Sequence, residues 1–309
     1  MPSIVNVTAL VSALSLAAAG AFAQTAPARP APPAAAPVAA APAARPAVSA
    51  NPVANPVVFA QVHLTVKDIA ATKKLWVDGL AGTAVMAGTT EAVKFPGLLV
   101  LLHKGEPKGG TKGSTVNIVA LEVKDLAATV KALKAGKVKM VTREETNNIY
   151  TVADDIATIP DQQTVSAVAQ TPDEVSVRLI ENKRAAAPIA FRHIHFAPPT
   201  MNEAIDWYAR AFGAKVGNRG FGFESLDLGK QVSELMVTMA PGKVVGTDGR
   251  SLSRIGFEVR GAALLAKKIQ GMGGTIVKPF GRSTDLGASS VVVSDPWGTL
   301  IELTEGLKL

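Results

Sequence analysis

Ser294-Asp295-Pro296-Trp297-Gly298-Thr299-Leu300-Ile301-Glu302-Leu303-Thr304-Glu305 is the stretch on which the reading of this chain turns. A Pro-Trp-Gly turn feeds a short apolar strand with one carboxylate in its middle, and side chains two apart on a strand share a face. Leu300, Glu302 and Thr304 therefore look the same way. An unpaired carboxylate inside an apolar run is costly to bury, so Glu302 faces water at a cup or cleft, binds a cation, or pairs with a base.

The same ending occurs earlier in the chain. Thr171-Pro172-Asp173-Glu174 to Val177-Arg178-Leu179-Ile180-Glu181 superimposes without a gap on Asp295-Pro296-Trp297-Gly298 to Ile301-Glu302-Leu303-Thr304-Glu305. Gln61-Val62-His63-Leu64-Thr65-Val66-Lys67-Asp68 followed by Ile69 to Ala81 reads as a strand, a turn and a helix ending near Gly82. His193-Ile194-His195-Phe196 followed by Met201 to Phe212 reads the same, with Gly213 closing the helix. Ile118-Val119-Ala120-Leu121-Glu122-Val123 leads into a Leu/Ala/Lys helix, as Arg254-Ile255-Gly256-Phe257-Glu258-Val259 leads into residues 262–271. The chain holds two copies of about 120 residues, each with two strand-helix-strands units.

The 309 residues, 48% hydrophobic and 18% charged, suffice for two domains with real cores. Residues 1–23 read as a signal peptide: residues 4–19 are apolar and small, and Ala21-Phe22-Ala23 fits cleavage before Gln24. No Lys or Arg precedes Arg29, so an uncleaved membrane anchor is the rival. The expectation is a periplasmic or secreted protein without stable membrane insertion after cleavage. Residues 24–57 are almost all Ala, Pro and Val, which forbids a continuous helix and reads as a disordered tether. Cysteine is absent, which excludes disulfides, thiolate metal sites and cysteine nucleophiles. Of the net charge of +7, Arg29 and Arg45 supply +2, and Lys131, Lys134, Lys137 and Lys139 are the nearest thing to a basic run. Without a dense basic stripe interleaved with aromatics, nucleic acid is not an expected partner. Gly217 to Phe223 is glycine-rich but lacks the setting of a phosphate loop or a dinucleotide site.

The repeat resembles the vicinal oxygen chelate superfamily, which includes glyoxalase I, extradiol dioxygenases, methylmalonyl-CoA epimerase and the bleomycin- and fosfomycin-resistance proteins. The resemblance covers residues 58–306 and is most specific at residues 193–213, 254–259 and 295–305. It implies an α+β fold: tandem domains at 58–184 and 188–309, built of four βαβββ modules whose sheets curl into cups around a divalent metal. The family's ligands come from the first and last strands of the paired modules. Carried onto the second copy they are His193, Glu234, Arg254 in place of a histidine, and Glu302. Imidazole and carboxylate suit zinc, nickel, manganese or iron(II), whereas a guanidinium has no lone pair to give. A unit charge about 5 Å from a divalent ion costs on the order of 6–7 kcal/mol at an effective dielectric of about 20. Either Arg254 turns away, or it replaces the metal by forking onto Glu302 or Glu234.

Copy one offers Gln61, Ile118 and Arg178 at the equivalent places, with no carboxylate between Lys94 and Lys104, so it carries no metal site. Modules of this family also pair across domains; His193 and Glu234 would then face Ile118 and Arg178, while Arg254 and Glu302 would face Gln61. His195, matching His63, reads as a wall or substrate contact, and His103 as a surface or loop residue. Trp207 and Tyr208 read as core, Glu122 and Glu258 as outward charges. Phe280-Gly281-Arg282 and residues 242–250 resemble loops that close over a cup, with Phe280, Arg254 and His195 as substrate contacts and Arg282 or Arg250 available to an anion. The leading expectation is an exported protein that binds a small oxygenated molecule in the second-copy cup for glyoxalase-like proton transfer at Glu302, with dioxygenation the least supported chemistry. The rival is a metal-free binding protein, similar to the resistance members, in which Arg254 neutralises the carboxylates. Both leave room for a homodimer.

Overall fold

The computed structural model describes residues 57–146, 149–218, 223–228, 234–238 and 242–308. The expected signal peptide, and the tether apart from Val57, lie outside them. Among the described residues no helix is long and apolar enough to cross a membrane.

The fold is α+β and runs through four strand-helix-strands units. The first comprises β1 (Val58–Val66), α1 (Ile69–Lys74), β2 (Thr83–Ala87), β3 (Thr90–Phe95) and β4 (Leu98–Lys104). The second comprises β5 (Val116–Val123), α2 (Leu126–Ala135), β6 (Lys139–Met140), α3 (Thr142–Glu145), β7 (Val152–Ala153), β8 (Ile156–Ile159), β9 (Thr164–Gln170) and β10 (Ser176–Glu181). The third holds β11 (Ile189–Phe196), α4 (Met201–Phe212), β12 (Lys215–Asn218), β13 (Phe223–Asp227) and β14 (Glu234–Thr238). The fourth holds β15 (Leu252–Glu258), α5 (Ala262–Gly271), β16 (Thr275–Ser283), β17 (Ala288–Ser294) and β18 (Leu300–Glu305).

Local chemistry sets these limits. Asp68 and Asp125 cap α1 and α2 by accepting from Ala71 N and Ala128 N. Gly213, at φ 72°, ends α4 in the left-handed conformation that glycine adopts without a Cβ penalty. The first helix departs from expectation: its α-helical part stops at Lys74 and Leu75–Gly79 widen into a π-turn, which carries Trp76 fully into the core.

The units pair across the repeat, the second of the two arrangements open from sequence. One sheet joins the first and fourth units in the order β16-β17-β18-β15-β1-β4-β3-β2. The other joins the second and third as β12-β13-β14-β11-β5-β10-β9-β8-β7, with β6 on β9. No cup is therefore built from the second copy alone. The halves meet where Phe59 on β1 stacks on Phe191 on β11, ring centroids 5.0 Å apart, with Phe257 edge-on to Phe59. A continuous apolar core including these rings, Trp207 and Tyr208 occupies the helix side of the sheets, so the two aromatics of α4 are core as expected.

The turn before β18 is held by one carboxylate. Asp295 Oδ1 accepts from Trp297 N at 3.0 Å and Thr299 N at 2.7 Å, and Oδ2 accepts from Tyr208 OH at 2.9 Å. In the first copy Thr171 Oγ1 substitutes, accepting from Val175 N at 3.0 Å, and Glu174 takes the left-handed position of Gly298. Each following strand is anchored alike: Ser176 N donates to Thr111 Oγ1 and Leu300 N to Thr247 Oγ1.

Burial pushes the Asp295 carboxyl up to about 6 despite its three donors. With its folded value above the unfolded one, the native state holds the extra proton between about pH 4 and 6, so the stabilisation is greatest at low pH and declines as pH rises through 6. Urea unfolding of the wild type against Asp295→Asn is expected to show their difference shrinking by up to about 3 kcal/mol from pH 4 to 7. A pH-independent difference would mean that Asp295 is ionised throughout.

Candidate functional site

The first cup lies on the inner face of the eight-stranded sheet. β1 runs antiparallel to β15 with His63 opposite Arg254, and parallel to β4 with Thr65 beside His103; β18 sets Glu302 beside Gly256. A β-bulge at residue 60 re-aims the strand just before Gln61, and β11 carries the same irregularity at residue 192, just before His193. The repeat thus preserves the device that turns its first-strand side chains inward.

Glu302, with a side chain 4% exposed, meets two groups: Oε2 lies 3.2 Å from His63 Nε2 and 3.4 Å from Arg254 Nη1. Neither contact has hydrogen-bond alignment, so both are electrostatic. His63 Nδ1 lies 3.0 Å from His103 Nε2, and the two rings stack. Burial first, then Arg254 and His103, hold the His63 imidazole well below its ordinary pKa, and burial with Arg254 lowers His103 to about 4. Both rings are neutral near pH 7, leaving Arg254 as the charge that balances Glu302. One tautomer accounts for the short contact between the rings, with His103 Nε2–H donating to His63 Nδ1; it leaves the His63 Nε2–H beside Glu302. Gln61 is fully buried with neither amide atom hydrogen-bonded, and its side chain lies across Gly256, where a Cβ would stand 2.2 Å from its Cγ. The rim closes because the β2–β3 turn meets the β16–β17 turn: Thr90 N donates to Asp285 O, and Gly88 leaves no room for a side chain beside Thr284 O. Leu99, Leu101, Leu286 and Leu307 fill the space between.

The second cup lies on the ten-stranded sheet. There β11 presents His193 and His195, ring centroids 4.7 Å apart, β14 starts with the buried Glu234, and β10 presents Arg178. β5 sets Ile118 opposite His195. Burial, with His193 and Arg178 adding to it, lowers the His195 imidazole well below its ordinary pKa.

A sequence profile of the Glyoxalase/Bleomycin resistance protein/Dioxygenase superfamily matches residues 190–303. This segment belongs to that superfamily. The whole fold is similar to glyoxalase I from Zea mays, at a TM-score of 0.63 and 17% identity over 82% of this chain and 93% of that one. It is also similar to a putative dioxygenase from Bacillus subtilis, at 0.61 and 11% identity over 80% and 84%. At such identities the likeness is one of fold. No curated protein sequence matches the chain.

Against the ligand positions that the superfamily implies, the expected metal set divides. His193 and Glu234 belong to one sheet and Glu302 to the other, because the units pair across the repeat. Among the described residues no three His, Cys, Asp or Glu side chains are grouped to hold an ion. In the first cup the place of a cation is taken by Arg254, and in the second Arg178 stands where the superfamily expects a carboxylate. These donor sets do not fit a divalent metal.

Other expectations change as well. His103 is not a surface residue: the parallel register carries it onto the face of His63, a contact that the alternation Leu99, Leu101, His103 already contained. Glu122 and Glu258 share parity with Ile118 and Arg254 and lie on the inner faces, Glu122 lining a cleft and Glu258 accepting from Thr304 Oγ1. Phe280 and Arg282 sit in edge strand β16 rather than in a closing loop, Phe280 being 43% exposed. Arg250 is spent on Gly110 O and Lys112 O, tying down the connection before β5.

The Arg254 side chain is 26% exposed and Glu302 is sealed, so their removal should cost unequally. Arg254→Met strands a buried carboxylate and is expected to destabilise by about 2–4 kcal/mol; after Glu302→Gln the guanidinium swings to water, at a cost below about 1.5 kcal/mol. Urea unfolding at pH 7 reads both, and equal losses would contradict this charge arrangement.

Proposed function

We propose that this is an exported, metal-free small-molecule-binding protein on the superfamily's fold, in which Arg254 has taken the place of the metal. The observation that carries the reading is the Arg254–Glu302 pair at 3.4 Å, with neutral His63 completing the contact. A guanidinium so placed does for the carboxylate what a cation would, and its partly exposed N–H groups face a ligand's oxygen atoms. Sequestration of a small oxygenated compound, as in the bleomycin-resistance branch, needs this and no more. Export rests on the apolar residues 4–19 and the Ala21-Phe22-Ala23 site, and predicts a mature chain starting at Gln24.

The chain His103–His63–Glu302 favours a second reading, metal-free proton transfer at Glu302 on a bound carbonyl compound. Turnover lost in Glu302→Gln with binding retained would support it.

Elemental analysis of the chain purified without chelator, beside Glu302→Ala and Arg254→His, tests the main reading. The parent is expected to carry no stoichiometric zinc, nickel, manganese or iron, and Arg254→His to gain affinity for one of them, since it converts the counter-charge into a ligand. Near-stoichiometric metal in the parent that disappears in Glu302→Ala would overturn the proposal.

A further inference from the structure

The two cups hold opposite charges at the same strand position. On β18 that position is Glu302, and Arg254 across the sheet neutralises it. On β10 it is Arg178, and the residue corresponding to Arg254 is Ile118, which is apolar and buried. At the position from which Arg254 neutralises Glu302, Arg178 therefore meets no charge. Its Nε is sealed from solvent with no acceptor, and among the described residues no hydrogen bond or ion pair reaches its guanidinium. Burial outweighs the attraction of Glu145 and Tyr150 and pulls its pKa down from the ordinary value. A guanidinium in a protein nevertheless keeps its proton, so the charge persists.

The surroundings of Arg178 are built for an acceptor. It lines a slot of about 10 Å³ together with Thr164, Gln162 and Ser166, whose fully buried hydroxyl also has no partner. Ile159, Ile180 and Met236 give the slot an apolar wall. Through Ile180, Met236 and His193 it continues into a cleft of about 440 Å³, bordered by Glu122, Glu181 and Arg192.

We infer that the second cup is an anion site that takes the carboxylate of a small monoanionic organic acid: Arg178 grips the carboxylate, Ser166 Oγ–H donates to it, and the acid's short apolar body lies against Met236 and Ile180. The planar fork of a guanidinium matches the two oxygens of a carboxylate. The slot has room for about one water-sized group, enough for a single carboxylate oxygen beside Arg178, and the rest of the acid lies in the adjoining cleft. Two carboxylates, Glu122 and Glu181, border the cleft against the single cation Arg192, a balance that favours a monoanion over dianionic phosphate. The site is independent of the first cup, because Arg178 and Arg254 belong to different sheets.

Calorimetric titration of the full chain with butyrate tests this, with butan-1-ol and inorganic phosphate as comparison ligands. One butyrate is expected to bind, at least about tenfold more tightly than either comparison, with at least a tenfold loss in Arg178→Met, which keeps the bulk and removes the charge. The first-cup reading is tested separately by the metal content of the parent and of Arg254→His, which butyrate binding at Arg178 does not affect, so that failure of the first-cup reading and failure of this one are separable. Absence of butyrate binding to the wild type, equal binding by Arg178→Met, or preference for phosphate would overturn the inference. If Arg178→Met does not fold, the Arg178 Nε–H resonance of the wild type decides: a shift that saturates with butyrate supports the site, and an unmoved resonance overturns it.

Discussion

The antiparallel ladder between β1 and β15 is the constraint from which the rest follows. It joins the first quarter of the chain to the last, and its register sets His63 opposite Arg254 while β18 brings Glu302 alongside. Had the units paired within each copy, Arg254 would have faced His195, the repeat's equivalent of His63, and Phe59 would have lost its place against Phe257. The same splice, repeated by β5 on β11, sets His195 against Ile118. Two non-equivalent cups result from one repeated sequence.

Each cup resolves the same electrostatic problem differently. A sheet interior disfavours a lone charge, and the superfamily's usual answer is a metal shared among neutral and anionic ligands. In the first cup a guanidinium supplies the positive charge internally, and neutral His63, itself backed by His103, completes the contacts of Glu302. In the second the cation is present, and among the described residues no hydrogen bond or ion pair reaches it. Two differences at matching strand positions, Arg254 against Ile118 and Glu302 against Arg178, separate an internal ion pair from a guanidinium that no ion pair reaches among the described residues.

Much of the site was legible as residue types. The break at Arg254 was visible, because it follows from lining up two strands in one sequence. His103 was not, since its role depends on β4 lying parallel to β1, and nothing local to Leu98–Lys104 states which strand it will neighbour. Glu122 and Glu258 were misassigned for a simpler reason: the period of two that places Arg254 inward places Glu258 inward as well. The exposed strand at Phe280 was read as a loop because its Pro-Phe-Gly-Arg composition carries loop signals; these surface as a register irregularity between Lys278 and Gly281, and the pairing of β16 with β17 on either side keeps the segment in the sheet.

The sequence by itself determined the α+β class, the internal repeat, the strand-turn signatures at Thr171 and Asp295, and the guanidinium where a histidine ligand belongs. These are properties of hydrophobic period, turn chemistry and side-chain donor capacity, all carried by short stretches. Tertiary structure alone decided which units share a sheet, and so split His193 and Glu234 from Glu302, drew His63 to that carboxylate with His103 behind it, and left the Arg178 Nε without an acceptor among the described residues. The physical reason is that strand pairing is a long-range choice. Backbone hydrogen bonds are alike in either arrangement, and the selection falls to how the faces pack, here through Phe59 on Phe191 and Phe257.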